Sequence, residues 1–204
     1  MPFMKLLLFI TMLFYSVLGV TQAKQIGLVM VSKGTSEIIR HNETSTAKIG
    51  QKIFEGDQIQ TKDDGFLKIV MTDRNILVVT ASTQMTIEKY ELKKTSIIQL
   101  NQGSLRHRVQ KNYDGLTKKY EVKTPAAVMG VRGTDFISEY DLAKQETVLC
   151  TLEGKSSFKS NSFPEEVFTE KDQFIRYKKD SGKPQVITVK QEWLKKALEK
   201  HIIE

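Results

Sequence analysis

The groups in this 204-residue chain that could carry acid–base, nucleophilic or metal chemistry are three histidines, one cysteine and scattered carboxylates. His41, His107 and His201 are too far apart for metal-ligand spacing, and none neighbours Cys150. Cys150 sits in Glu146-Thr-Val-Leu-Cys-Thr-Leu152, where alternation sets it with Val148 and Leu152. It reads as a small buried apolar residue, not a nucleophile, and as the only cysteine it can form no internal disulfide. The carboxylate pairs Asp63-Asp64 and Glu165-Glu166 fall in turn-like stretches, and solvated turns account for them. No glycine-rich phosphate loop, Gly-x-Ser-x-Gly elbow or His-Glu-x-x-His pair occurs. The sequence is therefore expected to encode a binding protein without cofactor or metal, not an enzyme.

Two segments stand out from this background. In Gly50-Gln-Lys-Ile-Phe-Glu-Gly-Asp-Gln-Ile-Gln-Thr61, two glycines bracket an apolar step and Asp57 follows Gly56. In Lys123-Thr-Pro-Ala-Ala-Val-Met-Gly-Val-Arg-Gly-Thr-Asp-Phe136, Pro125 presets the backbone, and Gly130 and Gly133 bracket Arg132. An arginine in that setting is expected to be partly buried. A lone buried charge costs several kcal/mol, so it needs a carboxylate, for which Asp57 and Asp135 are the candidates.

The elements that must hold these segments are strands. From Lys24 to about Val189, short runs rich in Val, Ile, Thr, Phe and Tyr recur between Gly, Asn, Asp and Lys. Expected strands include Ile26–Val31, Phe66–Thr72, Met85–Tyr90, Tyr120–Lys123 and Phe136–Tyr140. Ile97–Leu100 and Leu105–Val109 are read as two strands split by Asn101-Gln102-Gly103, and Thr147–Leu152 and Ser156–Lys159 as another two. In Phe66–Thr72, Leu67, Ile69 and Met71 share one face. The expected class is all-β, many short strands in a sandwich or short β-coil, with no crossover helices for a parallel βαβ sheet. One exception closes the chain. Over residues 190–204, Trp193, Leu194, Ala197, Leu198 and Ile202 form the stripe of an amphipathic helix, opposite Lys195, Lys196, Glu199 and Lys200. A helix this short needs something to pack on. It either folds back as a lid on the β domain or docks into a partner through Trp193, Leu194 and Leu198.

The glycine-bearing segments resemble the FecR-domain family. The resemblance runs through Gly-Asp-x-Ile-x-Thr (Gly56, Asp57, Thr61), Asn101-Gln-Gly-Ser-Leu105, the Thr124-Pro125 step, Val-Arg-Gly-Thr (Arg132, Gly133, Thr134) and Leu152-Glu-Gly-Lys155. It covers about Ile26 to Lys159 and departs where the family has Gly-Ser and Pro-x-Ser, here Arg74-Asn75 and Thr80-Ala-Ser82. The family's best-known members relay signals from an outer-membrane transporter to a sigma factor, through a cytoplasmic segment and a membrane span. This chain is expected to be a free-standing form without either. The resemblance then implies a periplasmic protein-binding module. Gly56, Asp57, Thr61, Thr124, Pro125, Arg132, Gly133 and Thr134 match its motifs and are expected to build the fold, not a ligand site.

The N-terminus agrees with export. Lys5 precedes an apolar and small-residue run from Leu6 to Val20, and Thr21-Gln22-Ala23 completes the layout of a cleavable secretory signal. As a helix that run spans roughly 22 Å, short of a ~30 Å hydrocarbon core. Cleavage after Ala23 is expected, with no membrane span beyond it. The expected organisation is a signal peptide over 1–23, a FecR-like β domain over 24–160, a β extension over 161–189 and the helix over 190–204. The net charge of +7 is spread over unrelated segments, so no nucleic-acid partner is expected. Two readings of function follow. The first is a periplasmic module holding a protein partner in envelope signalling or assembly. The second is a module binding a glycan such as peptidoglycan, which calls for an exposed aromatic beside polar side chains.

Overall fold

The structure, a computed structural model, describes residues 24–91, 94–110, 119–189 and 191–201, and no side chain for Lys119, Arg132 and Gln191. The expected signal peptide and Ile202 lie outside the described residues. Among those described, no helix is long and apolar enough to cross a membrane.

Among the described residues, fifteen strands form one continuous sheet. In chain order they are β1 (Gln25–Lys33), β2 (Ser36–Arg40), β3 (Glu43–Thr46), β4 (Lys52–Phe54), β5 (Gln58–Thr61), β6 (Phe66–Met71), β7 (Ile76–Val79) and β8 (Gln84–Tyr90). There follow β9 (Thr95–Arg108), β10 (Lys119–Lys123), β11 (Ala127–Asp141), β12 (Glu146–Ser160), β13 (Val167–Glu170), β14 (Gln173–Lys178) and β15 (Val186–Thr188). The helix α1 spans Gln191–Glu199. The fold is all-β with one short C-terminal helix, as the sequence implied.

The sheet is one ribbon with two sections. One runs β4-β1-β6-β7 and continues through the C-terminal half of β9, the C-terminal half of β11 and the N-terminal half of β12 to β14 and β15. The other runs β3-β2-β5-β8 and continues through the N-terminal half of β9, β10, the N-terminal half of β11 and the C-terminal half of β12 to β13. Only β9–β10 is parallel within these ladders. The buried faces of both sections meet in one core: Leu67, Ile69 and Met71 from β6 with Ile98, Val122, Met129 and Phe158 from the other section. The face expected for β6 is the one that is buried. β12 is apolar on both faces over Val148–Cys150, which places Cys150 in the interior.

Three strands belong to both sections, and here the structure corrects the strand boundaries. The runs read as separate strands on either side of Gly103 are one strand, β9, and those on either side of Gly154 are one strand, β12. Likewise β11 begins at Ala127 and takes in the whole Gly130–Thr134 segment. Each long strand bends at a glycine with positive φ: Gly103 at 94°, Gly133 at 59° and Gly154 at 84°. A residue without Cβ can enter this region and redirect a strand while its ladder continues on both sides. Such a glycine punctuates a sequence as a turn does, so sequence pattern alone could not separate the two cases.

The bends are packed from outside. A Cβ on Gly154 would lie 2.9 Å from the Gly133 carbonyl oxygen, and one on Gly103 would run into the backbone and side chain of Thr83. Gly182, at φ 83°, has nothing within 4 Å of such an atom. The substitution Gly182→Ala therefore costs only backbone strain, about 1–2 kcal/mol. Gly103→Ala adds a steric clash with backbone and should cost at least twice as much, read as the difference in urea midpoint at equal slope. Equal costs at the two positions would show that the corner is not sterically closed.

Candidate functional site

Among the described residues Asp57 is the most enclosed acidic group, with no solvent exposure. The turn Glu55-Gly56 after β4 puts Gly56 at φ 87°, and its N–H donates to the Ile87 carbonyl at 2.8 Å. The chain then drops Asp57 inward, where its carboxylate accepts from the Phe54 N–H at 2.9 Å. Arg40, at the end of β2, closes the pocket with a two-pronged contact, Nε at 2.7 Å and Nη2 at 2.8 Å. The same Nη2 donates to the Lys52 carbonyl at 3.0 Å, and the guanidinium lies 4.2 Å over the Phe54 ring. Asp57 thus clamps β2 to β4 with a fork geometry that lysine could not supply. Four residues on, Thr61 accepts from the Thr83 N–H at 2.9 Å and donates to the Thr80 carbonyl at 2.5 Å, pinning the turn before β8.

The second segment is built the same way. Asp135 accepts from Arg106 at Nε, 2.9 Å, and Nη2, 2.8 Å, and from Arg108 Nε at 3.1 Å, tying β11 to β9. Thr134 Oγ1 donates to the Lys155 carbonyl at 3.2 Å beside the Gly133–Gly154 contact. Thr124 turns the chain from β10 into β11, its hydroxyl accepting from the Ala127 N–H at 3.1 Å across Pro125 and meeting Thr147 Oγ1 at 2.8 Å. Asp57 and Asp135, the acids expected to face Arg132, are engaged by Arg40 and by Arg106 with Arg108. The Arg132 side chain lies outside the described residues.

Sequence reasoning assigned the histidines no role, yet two of them organise the interior. His107 on β9 is fully buried and stacks on Phe136, its cross-strand partner on β11, at 4.5 Å and 8°. Its ring nitrogens meet the Tyr120 hydroxyl and Ser138 Oγ, each at 2.9 Å. Burial, with a smaller effect of His201, pushes its pKa down to about 3. His201 follows α1 and is 5% exposed. Its Nδ1 donates to the Ala197 carbonyl at 2.8 Å, so Nε2 accepts from Ser104 Oγ at 3.0 Å. Burial pushes His201 down to about 4; Arg106 and Lys200 add to this, while the Ala197 carbonyl and Asp135 oppose it. The i, i+4 spacing of Ala197 and His201 was the available signal. Cys150 is held protonated by burial, its pKa raised to about 12.

α1 lies back on the β domain. Trp193 stacks on Phe174 of β14 at 5.3 Å and 18°, and Leu194, Ala197 and Leu198 are half-buried while Lys195, Lys196 and Glu199 face solvent. Trp193, Leu194 and Leu198, named above for partner docking, thus lie on the face turned to the chain's own sheet.

Residues 57–155 match the family described as FecR protein. Two crystal structures of a candidate anti-sigma factor from Parabacteroides distasonis ATCC 8503 share the fold, each with a TM-score of 0.58 at 13% identity over 69% of this chain. The chain spans 64% and 63% of their respective lengths, less than two thirds. No curated protein matches.

Two outcomes follow from the geometry. Asp57→Ala leaves the Arg40 guanidinium and the Phe54 N–H without their acceptor and should cost about 3 kcal/mol. Arg40→Ala should cost at least as much, because it strands the Asp57 carboxylate, which has no solvent exposure, with only the Phe54 N–H, whereas the 35% exposed Arg40 can be rehydrated when Asp57 is removed; a nearly neutral Arg40→Ala in denaturant titration would refute the clamp. Both buried histidines are neutral in the fold, so their contribution is complete above the unfolded value of 6.5 and is lost as pH falls towards about 4 and about 3. His201→Gln should therefore narrow the stability difference between pH 7.5 and 4.5 measured by urea titration. An unchanged difference would mean that His201 does not titrate with folding.

Proposed function

From the premise that this chain is a FecR-domain protein by residues 57–155, we propose that it is an exported, non-catalytic binding module that holds a protein partner in bacterial envelope signalling. One observation carries the reading. The described side chains of the family segments, Asp57, Thr61, Thr124 and Thr134, all bond inward, to backbone or to other side chains of this chain. Motif residues spent in this way leave recognition to surface and strand edges. The buried histidines and Cys150 likewise sit where burial holds them in their uncharged forms, unsuited to proton transfer or attack. A signalling role is in keeping with the anti-sigma designation of the proteins that share the fold. The periplasmic address rests on the N-terminal signal layout.

The edge best suited to a protein partner is β15. It pairs with β14 on one side only among the described residues, and Val186 and Ile187 are 38% and 46% exposed on its two faces. An open edge with aliphatic side chains offers both unpaired backbone and apolar contact to an added strand. Affinity-tagged chain recovered from the envelope fraction should begin at Lys24 by mass spectrometry and retain a protein partner through washing. Val186→Lys with Ile187→Lys should melt as the parent does and lose that partner. An intact Met1, or retention unaffected by the double substitution, would count against the address and the edge respectively.

A further inference from the structure

The outer face of the section containing β10 to β13 carries a row that is bare in its middle. Across it, Glu121 on β10 pairs with Gly130 on β11, Gly130 with Ser157 on β12, and Ser157 with Phe168 on β13. The neighbours Tyr120, Val122, Met129, Val131, Phe158 and Thr169 are all buried, so this row points away from the core. Gly130 contributes no side chain and Ser157 only a hydroxymethyl. The surface is therefore hollowed into a trough of about 450 Å³ between Glu121 on one side and Phe168 and Glu166 on the other. That is within the size range of small-ligand sites.

What lines the trough asks for a particular chemistry. Phe168 is 49% exposed, unusual for a phenylalanine with a core available beneath it; Lys155 Nζ sits over one face of its ring, 4.8 Å from the centroid, and 3.9 Å from Glu170, which leaves the other face for a ligand. Glu121 and Glu166 have no ion-pair or hydrogen-bond partner among the described residues. Among the described residues Ser157 Oγ makes only a long 3.4 Å bond, to the Gly130 carbonyl. Uncommitted acceptors on both walls, an ammonium and a hydroxyl between them, and an aromatic face beside a flat floor match a ring with hydroxyls on its rim and C–H bonds on its face. Carboxylates accept from neighbouring hydroxyls in pairs, and an aromatic ring packs against the apolar face of a pyranose. A purely anionic ligand would meet two carboxylates, while the exposed aromatic and the Ser157 hydroxyl give a ligand that is charge alone nothing to pack on.

We propose that this trough is a saccharide-binding subsite taking an uncharged pyranose unit of a polymer, separate from the β15 edge and from the protein partner assigned to it. The test is an NMR titration of the full chain with chitotetraose, a neutral N-acetylglucosamine tetramer, with cellotetraose as a second neutral probe. Saturable shifts at the amides of Glu121, Gly130, Ser157 and Phe168 are expected with at least one of them at millimolar concentration. Phe168→Ala should weaken binding about tenfold and Phe168→Tyr leave it nearly intact, with both variants melting as the parent does. Gly130→Ala, whose Cβ would meet Ser157 Oγ at 2.8 Å, should fill the floor and also weaken binding. Absence of localised shifts with both sugars overturns the proposal. So do localised shifts that Phe168→Ala leaves unchanged, or shifts produced at these amides only by a lysine-bearing extended peptide. Val186→Lys with Ile187→Lys should leave the titration untouched, so this inference and the protein-partner reading fail separately.

Discussion

Three long strands have to turn from one section of sheet into the other while keeping their ladders, and nearly every other feature depends on that bend. A strand of L-residues does not enter positive φ without strain, so Gly103, Gly133 and Gly154 occupy the bend positions. Their missing side chains serve a second end. The Gly133 carbonyl comes within 2.9 Å of where a Cβ of Gly154 would stand, so adjacent strands nest at the corner. Because β9, β11 and β12 pass through it, the two buried faces are brought opposite each other and close one core with no disulfide to help.

Charge is used in the same structural sense. Arg40 with Asp57 and Arg106 with Asp135 are forked pairs that join separate strands, and each acid is well shielded from solvent. A buried pair of this kind adds little net stability over apolar residues of equal volume, but breaking it strands a charge. The arrangement therefore favours the register of β2 on β5, which sets Arg40 beside Asp57, and that of β9 on β11, over alternatives that would leave Asp57 or Asp135 without an arginine. His107 and His201 are held neutral beside this framework by burial. His201 couples the helix to the corner, since its acceptor nitrogen takes the Ser104 hydroxyl one residue after Gly103.

With the described motif side chains turned inward, the recognition proposed above falls to what the sheet leaves uncovered. The β15 edge and the trough beside Phe168 differ in chemistry, one aliphatic with open backbone and the other hydroxyl-accepting with an aromatic wall. They belong to different sections of the sheet, although β13 and β15 approach each other.

Local sequence determined a good deal. Alternation at Leu67, Ile69 and Met71 named the buried face of β6, and the 193–198 stripe named the helix. Each of these is a short-range property, set by side-chain period or backbone freedom within a few residues. The sequence could not tell that Gly103 and Gly154 bend strands instead of ending them, because a glycine permits both and only the neighbouring strand decides. Nor could it choose among the carboxylates and arginines. Asp57 meets Arg40 and Asp135 meets Arg106 because the ladders set those residues side by side, from 17 and 29 positions apart. The bare row from Glu121 to Phe168 was equally invisible, since its four residues come from four strands and become neighbours only through register. Tertiary structure decided every partnership across strands, because a contact between distant segments leaves no period in the sequence to read.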